Sequence, residues 1–176
     1  MARVFIGIGS SLDPERNVRA AIGLLRKEVH VRRVSTFYRT EALRRPGDPA
    51  FYNGVIEAET DIPPLELQQA VLRRIEEALG RRRTEDRYAP RTVDLDILVY
   101  GDVALKTEHL TLPNPNIEER AFVALPLHEL APDLVLPGSG QRLEEIAARC
   151  ADHELQSLPE YTQLLRRDLA HGSSEG

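Results

Sequence analysis

Apolar residues recur at two spacings along the chain, and the order of these spacings predicts the fold. Short apolar or alternating runs predict strands at 4–8, 31–39, 53–60 and 93–100. The third strand alternates polar and apolar residues, which predicts one solvent-exposed face. Apolar residues three and four positions apart predict two helices. The first lies before the second strand and contains Val18, Ala21, Ile22 and Leu25. The second spans 61–80 and contains Val71, Ile75, Ala78 and Leu79. The order β-α-β-β-α-β predicts an α+β, ferredoxin-like fold: a four-stranded antiparallel sheet with two helices on one face.

The chain after the fourth strand predicts a C-terminal hairpin and helix extension of this core. Small strands are expected at 103–105 and 110–112, and helices near 118–130 and 142–150. A chain of 176 residues fits one domain, which we assign to 1–150. Residues 151–176 have a weak helical pattern and form an extension whose end, from His171, is expected to be frayed.

Composition and charge exclude several classes of protein. The chain is 41% hydrophobic and 29% charged, as in ordinary globular proteins, with no apolar run of membrane-spanning length. The net charge of −5 argues against a general nucleic-acid-binding protein. The N-terminal residues predict a strand rather than a signal peptide, and the single cysteine, Cys150, fits a reducing compartment. We therefore expect a cytoplasmic protein that binds neither membranes nor nucleic acid. We also expect a monomer, although composition and charge do not determine the oligomeric state.

One short segment concentrates residues suited to phosphate chemistry. Between Arg73 and Arg91 there are seven arginines against four acidic residues, and most of them lie on a polar loop at 80–92. Asp94 and Asp96 follow on the fourth strand, where residues two apart share a face. Two carboxylates on one face suit Mg²⁺, and cations on a long loop suit phosphoryl transfer. The alternative is a pair of solvated acids beside a solvated basic surface.

One segment of twelve residues has the sequence Arg87-Tyr88-Ala89-Pro90-Arg91-Thr92-Val93-Asp94-Leu95-Asp96-Ile97-Leu98. This segment closely resembles a motif of the 6-hydroxymethyl-7,8-dihydropterin pyrophosphokinases. The resemblance spans roughly residues 3–137 and includes Gly7-Ile8-Gly9-Ser10, Phe37-Tyr38-Arg39-Thr40 and Phe51-Tyr52-Asn53-Gly54-Val55. It implies transfer of pyrophosphate from ATP, the co-substrate, to the hydroxymethyl group of 6-hydroxymethyl-7,8-dihydropterin, with release of AMP, in folate biosynthesis.

The resemblance also implies a role for individual residues. Asp94 and Asp96 would hold two Mg²⁺ ions, and Arg81 and Arg91 would be the catalytic arginines. The pterin-binding residues would be Thr40, Leu43, Phe51, Asn53, Arg120 and Phe122. The ATP-binding residues would be Glu76, Arg83, Arg87, Ile97, Thr111, Asn114 and Pro115. The loop at 80–92 would close over the substrates. For Phe51 and Phe122, ordinary core packing is the alternative.

Some positions depart from the family pattern. Asn114 stands where the family usually has a histidine, His109 where some members have an arginine, and Ser11 where an asparagine is common. A pterin-binding protein without catalytic activity is therefore a second hypothesis. Without the resemblance, the pattern also admits an RNA-recognition module, which the negative charge opposes, and a nucleotide-sugar transferase, which would need a larger domain.

Overall fold

The centre of the molecule is an antiparallel sheet, seen in a computed structural model that describes residues 1–41, 47–81, 92–151, 153 and 155–172. The strands in these ranges are β1 (Ala2–Ser10), β2 (His30–Val34), β3 (Tyr38–Thr40), β4 (Phe51–Thr60), β5 (Asp94–Tyr100), β6 (Leu105–Lys106), β7 (Thr111–Leu112) and β8 (Gln156–Ser157). Six of them form one sheet in the order β5-β1-β4-β3-β8, with β2 also paired to β4. The short strands β6 and β7 form the predicted hairpin.

Helices cover the sheet and connect its strands. Within the described ranges they are α1 (Pro14–Leu25), α2 (Pro64–Glu66), α3 (Arg73–Ala78), α4 (Asn116–Glu119), α5 (Ala121–Leu130), α6 (Leu143–Arg149) and α7 (Pro159–Gly172). A π-helical turn, Leu67–Leu72, joins α2 to α3, so that the three form one continuous helical segment. No helix among the described residues has the length and apolarity needed to cross a bilayer.

The first hydrophobic core lies between the sheet and the two predicted helical segments. Val18 and Leu25 of α1 pack with Ile6 of β1 and with Leu95 and Ile97 of β5, and all five are fully buried. These residues follow the helical and strand periodicities that predicted the elements. Burying this apolar surface fixes α1 and α3 on one face of the sheet.

The opposite face of the sheet is also covered, which the sequence did not predict. Helix α5 packs against β4, and a second core joins Val55 of β4 and Phe5 of β1 to residues of α5 and α6. The expectation of a solvent-exposed face on the third predicted strand is therefore wrong, since Val55 and Glu57 are buried. The predicted helix near 118–130 is also divided, because Arg120 has an extended backbone between α4 and α5.

The main sheet has six strands rather than the predicted four, partly because Ser35 interrupts the second predicted strand. The Ser35 hydroxyl accepts a hydrogen bond from the Val55 N–H at 2.8 Å, in place of a backbone carbonyl, while the Ser35 N–H donates to the Val55 carbonyl. Phe37 then crosses Gly54, where a Cβ atom would lie only 2.4 Å from the Phe37 ring. Because the Ser35 hydroxyl replaces a backbone carbonyl in the hydrogen-bond ladder, β2 and β3 are separate strands. Strand β8 adds a further strand to the sheet.

The C-terminal segment is more regular than its weak pattern predicted. Helix α7 extends to Gly172, and residues 173–176, which make up most of the end expected to be frayed, lie outside the described part. Tyr161 is buried in the first core, and burial raises its pKa. The Phe37 N–H donates to Thr162 at 2.9 Å. Helix α7 therefore supports the start of β3.

Candidate active site

Two carboxylates lie side by side where β5 begins. Asp94 and Asp96 alternate along β5 with the fully buried Leu95 and Ile97, so both carboxylates lie on the face opposite the first core. The Asp94 side chain is 21% exposed, and Asp96 is exposed. The strand alternation thus places the two acids as the sequence predicted.

Two glycines of β1 separate these acids from the β4 side of the site. Gly9 pairs with Asp94 on one side and with Asn53 on the other, and Gly7 pairs in the same way with Asp96 and Val55. A Cβ atom on Gly9 would lie 2.8 Å from the Asn53 carboxamide oxygen. The missing side chain therefore lets the Asn53 carboxamide lie against the strand, and Gly7 and Gly9 form a low floor between Asp94 and Asn53.

The Asn53 carboxamide is held by a second predicted residue. Its Nδ2 donates a hydrogen bond to the Thr40 hydroxyl at 2.7 Å, across the pairing of β3 with β4. Asn53 is 9% exposed. Phe51 begins the same strand and approaches Gly9, with its Cδ1 4.0 Å from where a Cβ atom would be. The structure therefore brings Thr40, Phe51 and Asn53 together at one end of the glycine floor.

Arg81 neutralises the acidic end of the site. Its guanidinium contacts Glu76 and Asp94, each at 2.9 Å. Glu76 also accepts a hydrogen bond from the Leu95 N–H at 2.9 Å. Burial raises the pKa of Glu76, and Asp94 and Asp96 act in the same direction, while Leu95 and Arg81 oppose them. The site therefore concentrates negative charge, for which Arg81 supplies one cation.

The outer edge of β5 is filled by side chains instead of a further strand. Gln68, on the π-helical turn, accepts a hydrogen bond from the Ile97 N–H at 3.0 Å and donates to the Leu95 carbonyl at 3.3 Å. The Asn114 side chain donates a hydrogen bond to the Ile97 carbonyl at 3.4 Å, and the Asn114 backbone N–H donates one to the Leu98 carbonyl at 2.8 Å. Sequence reasoning missed Gln68, because a polar residue in a helix has no pattern of its own.

Ser10 is a second residue that the sequence did not single out by role. It is fully buried at the end of β1, and its hydroxyl donates to the Thr92 carbonyl. That bond fixes the chain just before Asp94. The signal was present in the segment Gly7-Ile8-Gly9-Ser10, but only the strand register shows which residue Ser10 meets.

The other predicted residues are more dispersed. Arg120 directly precedes α5 and Phe122 lies in its first turn, and this helix packs on the same sheet face as Asn53. Thr111 and Pro115 line a cleft of about 500 Å³ beside the β6–β7 hairpin, to which Asn114 also contributes, although Asp94 and Asp96 do not. The remaining predicted residues lie outside the described part of the chain, and they are Leu43, Arg83, Arg87 and Arg91.

The donor set on β5 fits a hard divalent cation that is only partly coordinated by protein. Asp94 and Asp96 supply carboxylate oxygens from one face, and such oxygens suit Mg²⁺. In the described ranges no three His, Cys, Asp or Glu residues form a group that could enclose a metal ion. A cation held by these two acids would therefore need further oxygen atoms from water or from a substrate.

Comparison with known proteins gives one consistent family. The family model described as 7,8-dihydro-6-hydroxymethylpterin-pyrophosphokinase (HPPK) matches residues 5–132. Over 161 residues the chain is 38% identical to the 2-amino-4-hydroxy-6-hydroxymethyldihydropteridine pyrophosphokinase of Haemophilus influenzae, covering 90% of this chain and 99% of that one. The protein of the same name from Pseudomonas aeruginosa is 39% identical over 160 residues, with 89% and 97% covered.

A solved structure shares the fold. The wild-type HPPK-DHPS of Plasmodium falciparum with SDX-DHP superimposes with a TM-score of 0.64 at 12% identity. The match covers 85% of this chain and 43% of that longer chain. At this identity the likeness concerns the fold alone, whereas the two bacterial relatives match over nearly their whole length. The chain belongs to the 7,8-dihydro-6-hydroxymethylpterin-pyrophosphokinase family.

Proposed function

We propose that the chain transfers the terminal diphosphoryl group of ATP to 6-hydroxymethyl-7,8-dihydropterin, with Mg²⁺ at Asp94 and Asp96. The family relationship places it among the pyrophosphokinases of folate synthesis. In the proposed reaction the hydroxymethyl oxygen bonds to the β-phosphorus, and the bond from that phosphorus to the oxygen bridging to the α-phosphorus breaks. AMP leaves with the bridging oxygen, and the hydroxyl proton is released.

One observation carries the proposal: Asp94, Gly9 and Asn53 are paired in a single row across three strands. The row brings a carboxylate suited to cations and a carboxamide suited to a heterocycle to one sheet face. No side chain on Gly9 separates them. Such an arrangement supports a reaction in which a phosphate chain and a flat alcohol meet above the same strand.

The β4 end of the row is the proposed pterin site. A carboxamide offers a donor and an acceptor together, as the edge of a pterin does, and Thr40 fixes the orientation of Asn53. Phe51 and Phe122 are half-buried and belong to neither hydrophobic core, which favours substrate stacking over core packing. Leu43 and Arg120 are proposed to complete this site.

The β5 end is the proposed diphosphate site. Bound Mg²⁺ would supply a Lewis acid that draws negative charge from the phosphate oxygens. Asp94 and Asp96 would hold it, and the number of ions is proposed as two. The Arg81 side chain is 16% exposed and pairs with Asp94. Its guanidinium is therefore already close to where a phosphate bound at Asp94 would lie. Arg91, with Arg83 and Arg87 in support, is proposed to neutralise charge on the transferred group.

The edge of β5 is the proposed nucleotide site. Glu76, Ile97 and Asn114 adjoin this edge, and Thr111 and Pro115 line the neighbouring cleft. The Asn114 oxygen also accepts from the Asn116 N–H at 2.9 Å. Asn114 is therefore engaged in shaping the loop before α4, and that role does not require the positive charge a histidine can carry. We further expect the protein to be a monomer in the cytoplasm.

The experiment is to identify the nucleotide formed from MgATP with and without 6-hydroxymethyl-7,8-dihydropterin. We expect AMP and the pterin diphosphate ester in equal amounts, and only when both substrates are present. Asp96→Asn should reduce this turnover at least about 100-fold by removing a cation ligand. Asp133→Asn, which changes an exposed aspartate elsewhere, is the control. Pterin binding without AMP would instead indicate an inactive binding protein.

A further inference from the structure

We propose that Gln68 holds, in the nucleotide-free protein, the two backbone groups that the adenine of ATP takes over on binding. This inference rests on the nucleotide site of the proposed function. The Gln68 side-chain N–H donates to the Leu95 carbonyl at 3.3 Å, and its carboxamide oxygen accepts from the Ile97 N–H at 3.0 Å. Gln68 is thus a positioning residue, with a role in nucleotide affinity rather than in the chemical step.

The two backbone groups need a partner because β5 is the last strand of the sheet on that side. Edge strands leave N–H and carbonyl groups unpaired, and these groups can bind another strand or a ligand. The Glu76 carboxylate accepts a hydrogen bond from the Leu95 N–H, and the Asn114 side chain donates one to the Ile97 carbonyl. Between them lie the carbonyl and the N–H, two residues apart, that Gln68 binds.

An adenine ring can make the same two bonds. A primary carboxamide presents one donor and one acceptor side by side, and adenine presents its 6-amino donor beside its N1 acceptor in the same way. Asp94 begins the same strand, so a nucleotide with its phosphates at Asp94 and Asp96 has its base further along β5. Ile97 lies three residues on, about 10 Å at a rise of ~3.3 Å per residue.

The π-helical turn allows the exchange without movement of the backbone. Leu67, Val71 and Leu72 are buried and anchor the turn in the first core, whereas Gln68 is half-buried and its side chain alone has to rotate. Arg73, directly after the turn, has a buried Nε with no hydrogen-bond partner among the described residues. π-Helical turns are frequent at functional sites. The turn therefore presents one replaceable partner to the edge of β5.

The two hydrogen bonds of Gln68 must break before adenine can bind the same backbone groups, and their loss weakens nucleotide binding. Removing the Gln68 carboxamide should therefore tighten nucleotide binding by about 5- to 30-fold, the range expected for one or two net hydrogen bonds. The gain should apply only to ligands that carry the base. Inorganic tripolyphosphate, which can occupy the phosphate site without reaching Ile97, should bind with unchanged affinity.

The test uses Gln68→Leu and Gln68→Ala, with Gln69→Leu on the same turn as the control. Calorimetry gives the dissociation constant of α,β-methylene ATP and of tripolyphosphate with Mg²⁺, and thermal unfolding shows whether each variant is folded. Amide hydrogen exchange at Ile97 gives a second measurement. In Gln68→Ala this amide should exchange faster than in the unaltered protein and should be protected again by α,β-methylene ATP, but not by tripolyphosphate.

Tighter analogue binding in both Gln68 variants, with unchanged tripolyphosphate binding, supports the inference. Weaker or unchanged analogue binding overturns it, and so does an Ile97 amide that the analogue leaves unprotected in folded Gln68→Ala. The product assay on the unaltered protein is independent of these results. If AMP is not formed there but the Gln68 effect is found, the proposed reaction fails and the adenine site stands; the reverse outcome removes only the role of Gln68.

Discussion

The Asn53 carboxamide oxygen lies 2.8 Å from the position that a Cβ atom of residue 9 would occupy, so the position of Asn53 depends on Gly9 having no side chain. Thr40 holds the other end of the same carboxamide at 2.7 Å. Asn53 is therefore confined between a hydroxyl and a bare strand. This confinement gives the proposed pterin site a defined orientation before any ligand binds.

Gly9→Ala should weaken pterin binding without a comparable effect on nucleotide binding. The added methyl group must displace the Asn53 carboxamide, and overpacking of this kind costs about 1–3 kcal/mol, or roughly 5- to 150-fold in affinity. Calorimetry with 6-hydroxymethyl-7,8-dihydropterin and, separately, with α,β-methylene ATP measures both effects. The control is Gly23→Ala, since a Cβ atom there would have no heavy atom within 4 Å. Equal pterin affinity in Gly9→Ala and the unaltered protein would refute the role of Gly9.

Arg81→Ala should lower both stability and turnover. The change leaves Glu76, whose side chain is 5% exposed, beside Asp94 without its cation. Loss of one partner of such a pair costs roughly 1–3 kcal/mol, and loss of a group that stabilises phosphate charge costs about 100-fold or more in turnover. Urea unfolding and the AMP assay measure the two effects.

Arg74→Ala is the matched control for Arg81→Ala. Arg74 lies on α3, seven residues before Arg81, and pairs with Glu28, but its side chain is 59% exposed. Exposed pairs of this kind contribute about 0–1 kcal/mol, so stability and turnover should change little. An Arg81 variant as active and as stable as the Arg74 variant would contradict the role given to Arg81.

Strand alternation alone was sufficient to place Asp94 and Asp96 on one face, because a period of two is a local property of the chain. The partners of that face depend on register, which is set by contacts between distant residues. The sequence therefore could not show that Gly9 pairs with both Asp94 and Asn53. The covered second face was missed for a similar reason, since Val55 is buried by a helix that follows it by some 70 positions.

Ser35→Ala should destabilise the fold by about 1–3 kcal/mol, because it leaves the buried Val55 N–H without its acceptor. The interruption between β2 and β3 depends on this hydroxyl, and the strand-like composition of 31–39 concealed it. Urea unfolding of Ser35→Ala, compared with Ser157→Ala at an exposed strand position, measures the cost. A loss no larger than that of Ser157→Ala would show that Ser35 is dispensable.

Glu57 should make stability depend on pH. Burial acts to raise the pKa of Glu57, but hydrogen bonds from Arg33 and Arg3 outweigh it, and the net pKa is lowered. A carboxyl whose folded pKa lies below its unfolded value, about 4.3, stabilises the fold above that value and ceases to do so as the pH falls through the folded pKa.

Glu57→Gln should therefore lose most stability, relative to the unaltered protein, at neutral pH. The difference in unfolding free energy between the two proteins should narrow below about pH 4, as Glu57 becomes protonated. Urea unfolding at pH 7 and at successively lower pH measures the difference. A difference that stays constant across this range would mean that packing, and not the charge of Glu57, determines its contribution.

The most direct test of the shared site is a crystal structure with Mn²⁺, α,β-methylene ATP and 6-hydroxymethyl-7,8-dihydropterin, using anomalous scattering to locate the metal. We predict Mn²⁺ in contact with both Asp94 and Asp96, and the pterin edge hydrogen-bonded to Asn53 across Gly9. Metal bound away from either aspartate, or a pterin seated elsewhere than against Asn53, would contradict the account.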